Sequence, residues 1–201
     1  DSTTSTILIY PSTSIGFTVD KDTQCFEWHK FNYTNTSVIN KGIITGQEWN
    51  LGDGSTATFK DIKNKIYTTS GNYNVRLITT SDKNCIDTVI HKIILYASPV
   101  TNFTIDKTRQ CFKGNVFNYT NTSTINTGFI LKYNWDLGNT QTANTRHITN
   151  LKYLTEDTFK VRLITFADNG CSDTASQIAV TYAQPIAKFV VPNDSQCWQN
   201  N

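Results

Sequence analysis

Trp49-Asn50-Leu51-Gly52-Asp53-Gly54 reads as the end of a β-strand running into a tight turn. Trp49 and Leu51 alternate with Asn50, the period-2 pattern of a half-buried strand. Gly52, Asp53 and Gly54 tolerate positive φ, and the Asp-Gly pair is a strong turn signal. The stretch returns as Trp135-Asp136-Leu137-Gly138-Asn139-Thr140, at an offset of 135 − 49 = 86.

The same offset relates Phe17, Phe103 and Phe189, and also Tyr10, Tyr96 and Tyr182. It relates Cys25, Cys111 and Cys197, and it matches Cys85 to Cys171 and Tyr67 to Tyr153. Phe31 to Ser37 recurs whole as Phe117 to Ser123. Aligning 16–101 on 102–187 needs no gap and gives roughly 45% identity, so the chain is a tandem repeat. The register divides it into a last strand of a preceding repeat (1–12), two repeats (13–98 and 99–184) and a first strand of a following one (185–201). It is therefore expected to be a segment of a longer array.

Within a unit, short β-rich runs alternate with turn residues, and no twelve-residue stretch shows a helical apolar stripe. Phe31 and Tyr33, Ile43 to Leu51, Tyr73 to Thr79 and Thr88 to Tyr96 read as strands, with two weak ones in Thr56 to Ile66. About seven short strands in 86 residues predict an all-β fold of tandem immunoglobulin-like β-sandwiches. Trp49 and Trp135 then fall where a core aromatic closes the sheets, and Tyr67 and Tyr153 where a corner tyrosine bonds back to the backbone. The junction Tyr96 to Val100 holds one Pro and no Gly/Ser run, which predicts a semi-rigid linker.

A unit of this size buries a modest core, and the cysteines suggest a staple. The reading is one disulfide per unit, Cys25–Cys85 and Cys111–Cys171, with Cys197 left for the next repeat. Zinc is disfavoured, because there is no C-x-x-C and the histidines do not repeat. Disulfides imply an oxidising, extracellular home. A net charge of +2 gives no field to steer nucleic acid, and no run approaches the ~20 apolar residues of a membrane helix.

Here the residues resemble a known family. Trp49 to Gly54 resembles the W-x-F-G-D-G hallmark of PKD domains, and Tyr67…Gly71-x-Tyr73-x-Val75-x-Leu77 resembles their Y-x-x-x-G-x-Y-x-V-x-L. Gln24-Cys25-Phe26, Phe31 to Ser37 and Cys85-x-Asp87-Thr88 look like the variant common in secreted Bacteroidetes proteins. The resemblance implies a non-enzymatic stalk or adhesive segment of a large surface protein, of the kind seen in gliding motility and adhesion. Asp-Ser/Thr followed by a small or aliphatic residue resembles the O-glycosylation motif of that phylum, which makes Ser2, Thr88 and Thr174 candidate sites.

Unit two departs from the hallmark, with Asn139 for Asp53, Thr140 for Gly54 and Asp157 for Gly71. Asn replaces Asp readily at a turn and poorly at a metal, so Asp53 and Asn139 are read as turn residues. Asp20, Asp82 and Asp87 repeat and raise calcium, but no D-x-D-x-D loop supports it, and no cofactor is expected. His29, His91 and His147 do not repeat and are read as solvated, so no catalytic set is expected. Trp28 has no repeat counterpart, since Gly114 stands there, Trp198 follows Cys197, and both are candidates for exposed contact. The expected partners are neighbouring repeats, surface glycans or other surface proteins, without nucleic acid or membrane insertion. Two alternatives stay open: an accessory glycan-binding region of a secreted hydrolase, and a filament subunit that donates a terminal strand.

Overall fold

The computed structural model describes residues 13–190 together with Thr4. The strand expected in 1–12, and with it Ser2, lies outside the described residues apart from Thr4, and so do Cys197 and Trp198. Phe189 and Val190, expected to begin a strand, are exposed and outside any strand.

The chain forms two compact units. One comprises residues 1–100, 124–131 and 166–173, and the other comprises 101–123, 132–165 and 174–201. Two segments of the second repeat, 124–131 and 166–173, thus belong to the first unit.

In the first unit the strands are β1 (Thr13–Ser14), β2 (Phe17–Val19), β3 (Thr23–Cys25), β4 (Phe31–Asn35), β5 (Val38–Ile39) and β6 (Ile44–Asn50). They continue as β7 (Thr56–Ala57), β8 (Ile62–Lys65), β9 (Gly71–Ser81) and β10 (Ile86–Tyr96). One sheet has the order β2-β4-β8, the other β3-β10-β9-β6-β7, and β1 pairs with β5. Every pairing given a register is antiparallel except β10 with β3, which is parallel.

Alternation explains the layers. Tyr73, Val75, Leu77 and Thr79 of β9 are buried, while Asn74 and Arg76 face out. Phe17, Phe31, Tyr33 and Ile62 come from one sheet, and Trp49, Val75, Leu77, Ile93 and Leu95 from the other. They meet in one core, as a β-sandwich requires. Phe17 packs edge-on against Trp49 with ring centroids 5.0 Å apart, a geometry worth ~1 kcal/mol beyond area burial.

The second unit repeats the plan with β11 (Phe103–Ile105), β12 (Arg109–Cys111), β13 (Phe117–Asn121) and β14 (Ile130–Asp136). It adds β15 (Thr142–Ala143), β16 (Ile148–Leu151), β17 (Thr158–Ala167) and β18 (Ser172–Tyr182). Its sheets are β11-β13-β16 and β12-β18-β17-β14-β15. Phe103 meets Trp135 at the same 5.0 Å. The fold is all-β throughout the described residues.

The turn after Trp49 shows why glycine stands there. Gly52 has φ 82°, and a Cβ on it would lie 3.0 Å from the backbone N and O of Asn74. Gly138 is held the same way against Lys160, at 2.9 Å.

The cysteines pair differently from the expectation. Cys25 is bonded to Cys171, 146 residues away, within the first unit. Cys85 and Cys111 are free, so neither Cys25–Cys85 nor Cys111–Cys171 forms. The reason is strand direction. Cys25 lies opposite Tyr96 at the end of β10, whereas Cys85 lies in the hairpin before β10 begins. An extended run of that length separates the two by roughly 35 Å, and a disulfide needs Cα atoms within ~7 Å.

Candidate contact surface

Two tyrosines anchor the corner of each sandwich. Tyr67 donates its hydroxyl to the Leu51 carbonyl at 2.8 Å and stands 3.0 Å from the Tyr33 hydroxyl. Tyr153 does the same to Leu137 and Tyr119, at 2.8 and 3.0 Å. Burial pushes the Tyr67 phenol up to about 12, and burial raises the Tyr153 phenol as well. Trp49 and Trp135 sit in the cores, with their indole N–H groups donating to Phe59 O and Thr145 O at 2.9 Å.

Asp53 caps its turn by accepting from the Ser55 amide at 3.1 Å and pairing with Lys65 at 2.6 Å. Burial opposes its ionisation, but the bonds from Lys65 and Ser55 prevail and hold its carboxyl below the ordinary range. Asn139 accepts from the Gln141 amide in the same way, at 3.2 Å. The repeated aspartates also serve the backbone. Asp20 accepts from the Asn32 and Lys21 amides, Asp82 from Ile43 and Asp87 from Thr88. Among the described residues no group of three His, Cys, Asp or Glu could hold a metal ion.

His29 departs from the solvated reading, being only 5% exposed. Its Nε2 accepts the Tyr67 N–H at 2.9 Å, which leaves the proton on Nδ1, 2.6 Å from the Phe26 carbonyl that it donates to. Asn115 performs both jobs in the second unit. Its Oδ1 accepts from the Tyr153 amide at 2.8 Å and its Nδ2 donates to Phe112 O at 2.7 Å. A short polar side chain with one acceptor and one donor satisfies the site, so His and Asn exchange there. His91 is half-buried beside Phe17, at 5.7 Å between rings, and His147 is exposed.

The His29 anchor turns its neighbour outward. Trp28 is 90% exposed and has φ 63°, at the position where the second unit has Gly114 with φ 79°. A bulky side chain in the left-handed region is a backbone outlier. The Phe26 amide bonds Tyr96 O at 2.8 Å and the Glu27 amide bonds Ser98 Oγ at 3.2 Å, fixing the loop on which the indole stands. Open grooves flank it. One of about 430 Å³ includes Phe26, Glu27, Pro99 and Val100. Another of about 600 Å³ includes His29, Lys30, Ile66 and Tyr67. An exposed aromatic platform with a few polar neighbours can stack on a sugar ring or cover an apolar surface.

Thr88 on β10 and Thr174 on β18 are both exposed. No described helix is long and apolar enough to cross a membrane.

The fold defines an immunoglobulin-like class of sandwich. Residues 17–94 match the family described as the PKD domain, a non-catalytic domain type typical of extracellular and secreted proteins. Similar solved structures include the PKD1 domain of Vibrio anguillarum Epp, at 22% identity over 43% of this chain and 96% of that one, with a TM-score of 0.38. The PKD1 domain of the Vibrio cholerae metalloprotease PrtV is 28% identical over 44% of this chain and 99% of that one, at 0.35. Fibronectin(III)-like modules of Clostridium thermocellum CbhA are 14% identical over 87% and 100%, at 0.39. No curated protein matches the chain.

Proposed function

We infer that the chain is a non-enzymatic segment of a large secreted bacterial surface protein, a disulfide-stapled stalk of PKD-type repeats. The observation that carries this reading is the Cys25–Cys171 bond, which ties a strand of one repeat to a hairpin of the next within the first unit. Such a staple serves a chain held in register outside the cell. The polar groups support it, since no buried side-chain N or O among the described residues lacks a partner, and the aspartates are spent on turns. Neighbouring repeats are its first partners, and no metal or cofactor enters the reading. Thr88 and Thr174 are exposed and are the candidate O-glycosylation sites of this reading.

The test is protease treatment of intact source cells. Peptides of this chain should be released while cytosolic markers stay inside, and the released Thr88 and Thr174 peptides should carry added hexose. Recovery of the chain only from the cytosol, with reduced cysteines, would overturn the reading.

A second reading, accessory glycan binding, is favoured by Trp28 alone, because an indole at positive φ and 90% exposure is costly without a contact. Saturable binding to a polysaccharide, lost in Trp28→Ala with the fold intact, would support it. Equal retention of the variant and the parent on every glycan would remove it.

A further inference from the structure

The free thiols repeat the setting of the bonded pair. Cys111 lies 86 residues after Cys25, and Cys85 lies 86 before Cys171. Cys25 ends β3 opposite Tyr96, and the next amide, of Phe26, bonds Tyr96 O at 2.8 Å. Cys111 ends β12 opposite Tyr182, and the Phe112 amide bonds Tyr182 O at 2.8 Å. On the hairpin side, the Cys171 carbonyl accepts from Ala167 N at 2.8 Å, and the Cys85 carbonyl accepts from Ser81 N at 2.9 Å. The residue before each hairpin cysteine is left-handed, Gly170 at φ 87° and Asn84 at φ 57°. In both hairpins an aspartate, Asp168 or Asp82, accepts from the amide of a neighbouring loop, Phe129 or Ile43.

These matches define two half-sites. The strand-end cysteine of one repeat bonds the hairpin cysteine of the repeat after it. By that rule Cys111 calls for a hairpin cysteine and Cys85 for a strand-end cysteine from repeats other than these two. Their exposure agrees, since the bonded Cys171 is 1% exposed whereas Cys85 is half-buried and Cys111 is exposed.

We propose that Cys111 and Cys85 are the open halves of the Cys25–Cys171 type of bond, each specific for the opposite half-site of another repeat of this design. The proposal rests on the repeat-segment reading above. Neighbouring repeats of an array carry these halves, and a second copy of this chain offers both, so in a mixture Cys111 of one copy joins Cys85 of another.

The chemistry is thiol–disulfide exchange with a disulfide oxidant such as glutathione disulfide. The Cys111 thiolate attacks the oxidant, breaking its S–S bond and releasing one glutathione thiolate. The Cys85 thiolate of the second copy attacks the mixed disulfide, forms Cys111–Cys85 and releases the second glutathione. Two protein thiols are oxidised, one glutathione disulfide is reduced to two glutathiones, and their protons go to the thiolates released.

The experiment uses the full chain carrying Cys197→Ser, so that only these two thiols and the bonded pair are present. Cys111→Ser and Cys85→Ser versions are mixed in equal amounts in a glutathione redox buffer and mapped by non-reducing peptide analysis. The Cys25–Cys171 peptide serves as the reporter of folding in each. The Cys85–Cys111 cross-link should exceed either homodimer by roughly tenfold, because docked half-sites raise the effective thiol concentration. The parent with both thiols should form a ladder of covalent oligomers. Homodimers at statistical frequency would overturn the proposal, and so would both thiols ending as glutathione adducts, with Cys25–Cys171 formed. That outcome leaves the surface-segment reading standing. Failure of Cys25–Cys171 itself to form, together with no release from intact cells, would remove that reading too.

Discussion

Tyr67 carries three duties on one ring: a buried stack on Tyr73, at 3.9 Å between centroids, a hydrogen bond to Leu51 O, and a contact to Tyr33. Tyr67→Phe should cost about 1–3 kcal/mol, read by denaturant unfolding, because the Leu51 carbonyl loses its donor in the core. The phenol also sets an alkaline limit. Its folded value is raised to about 12 above an ordinary value of 10, so its contribution is complete below the unfolded value. It is then lost as pH rises through the folded one. Unfolding temperature should therefore fall between roughly pH 10 and 12, and less steeply in Tyr67→Phe. At His29 the repeat supplies its own control. His29→Asn should change stability by less than ~1 kcal/mol, while His29→Leu should cost about 1–3 kcal/mol by orphaning the Tyr67 amide. The sequence held this signal in the His29–Asn115 match, but the two residues look unlike until their shared donor and acceptor are placed.

At the scale of elements, the turn after each core tryptophan differs between units in one informative way. Gly54 has φ 87°, and Thr140 occupies the same left-handed position at φ 68°. A β-branched residue is strained there. Thr140→Gly should stabilise the second unit by about 1 kcal/mol, the relieved strain exceeding the entropy that glycine loses, and its thermal transition should rise accordingly. Gly138→Ala should do the reverse, since its Cβ would press on the Lys160 backbone at 2.9 Å. Strands and turns were legible because alternation and Asx-Gly chemistry are local. The short β3 and β5 were not, since each is defined by its partner strand and has little pattern of its own. Trp28 was legible as an oddity of the alignment. Its left-handed backbone emerges only once Gly114 is known to share it.

For the molecule as a whole, the cysteine pairing was beyond the reach of the repeat. A period of 86 aligns Cys85 with Cys171, so either is an equally regular partner for Cys25. Only the direction of β10 decides between them. Breaking the bond with Cys25→Ser, or with reductant, should cost the first unit about 2–5 kcal/mol, measured by calorimetry against the oxidised chain.

The same bond has a consequence under load. A pulling force applied to residues on either side of 25 and 171 passes through the sulfur atoms, and the residues between them, 26–170, carry none of it. Their slack, about 500 Å of contour length when drawn straight, stays locked while the sulfurs are joined. A chain stretched in reducing medium should lengthen by that amount in added steps, and the oxidised chain should not. The staple thus makes the chain inextensible over most of its sequence and leaves its compliance to the redox state of its surroundings.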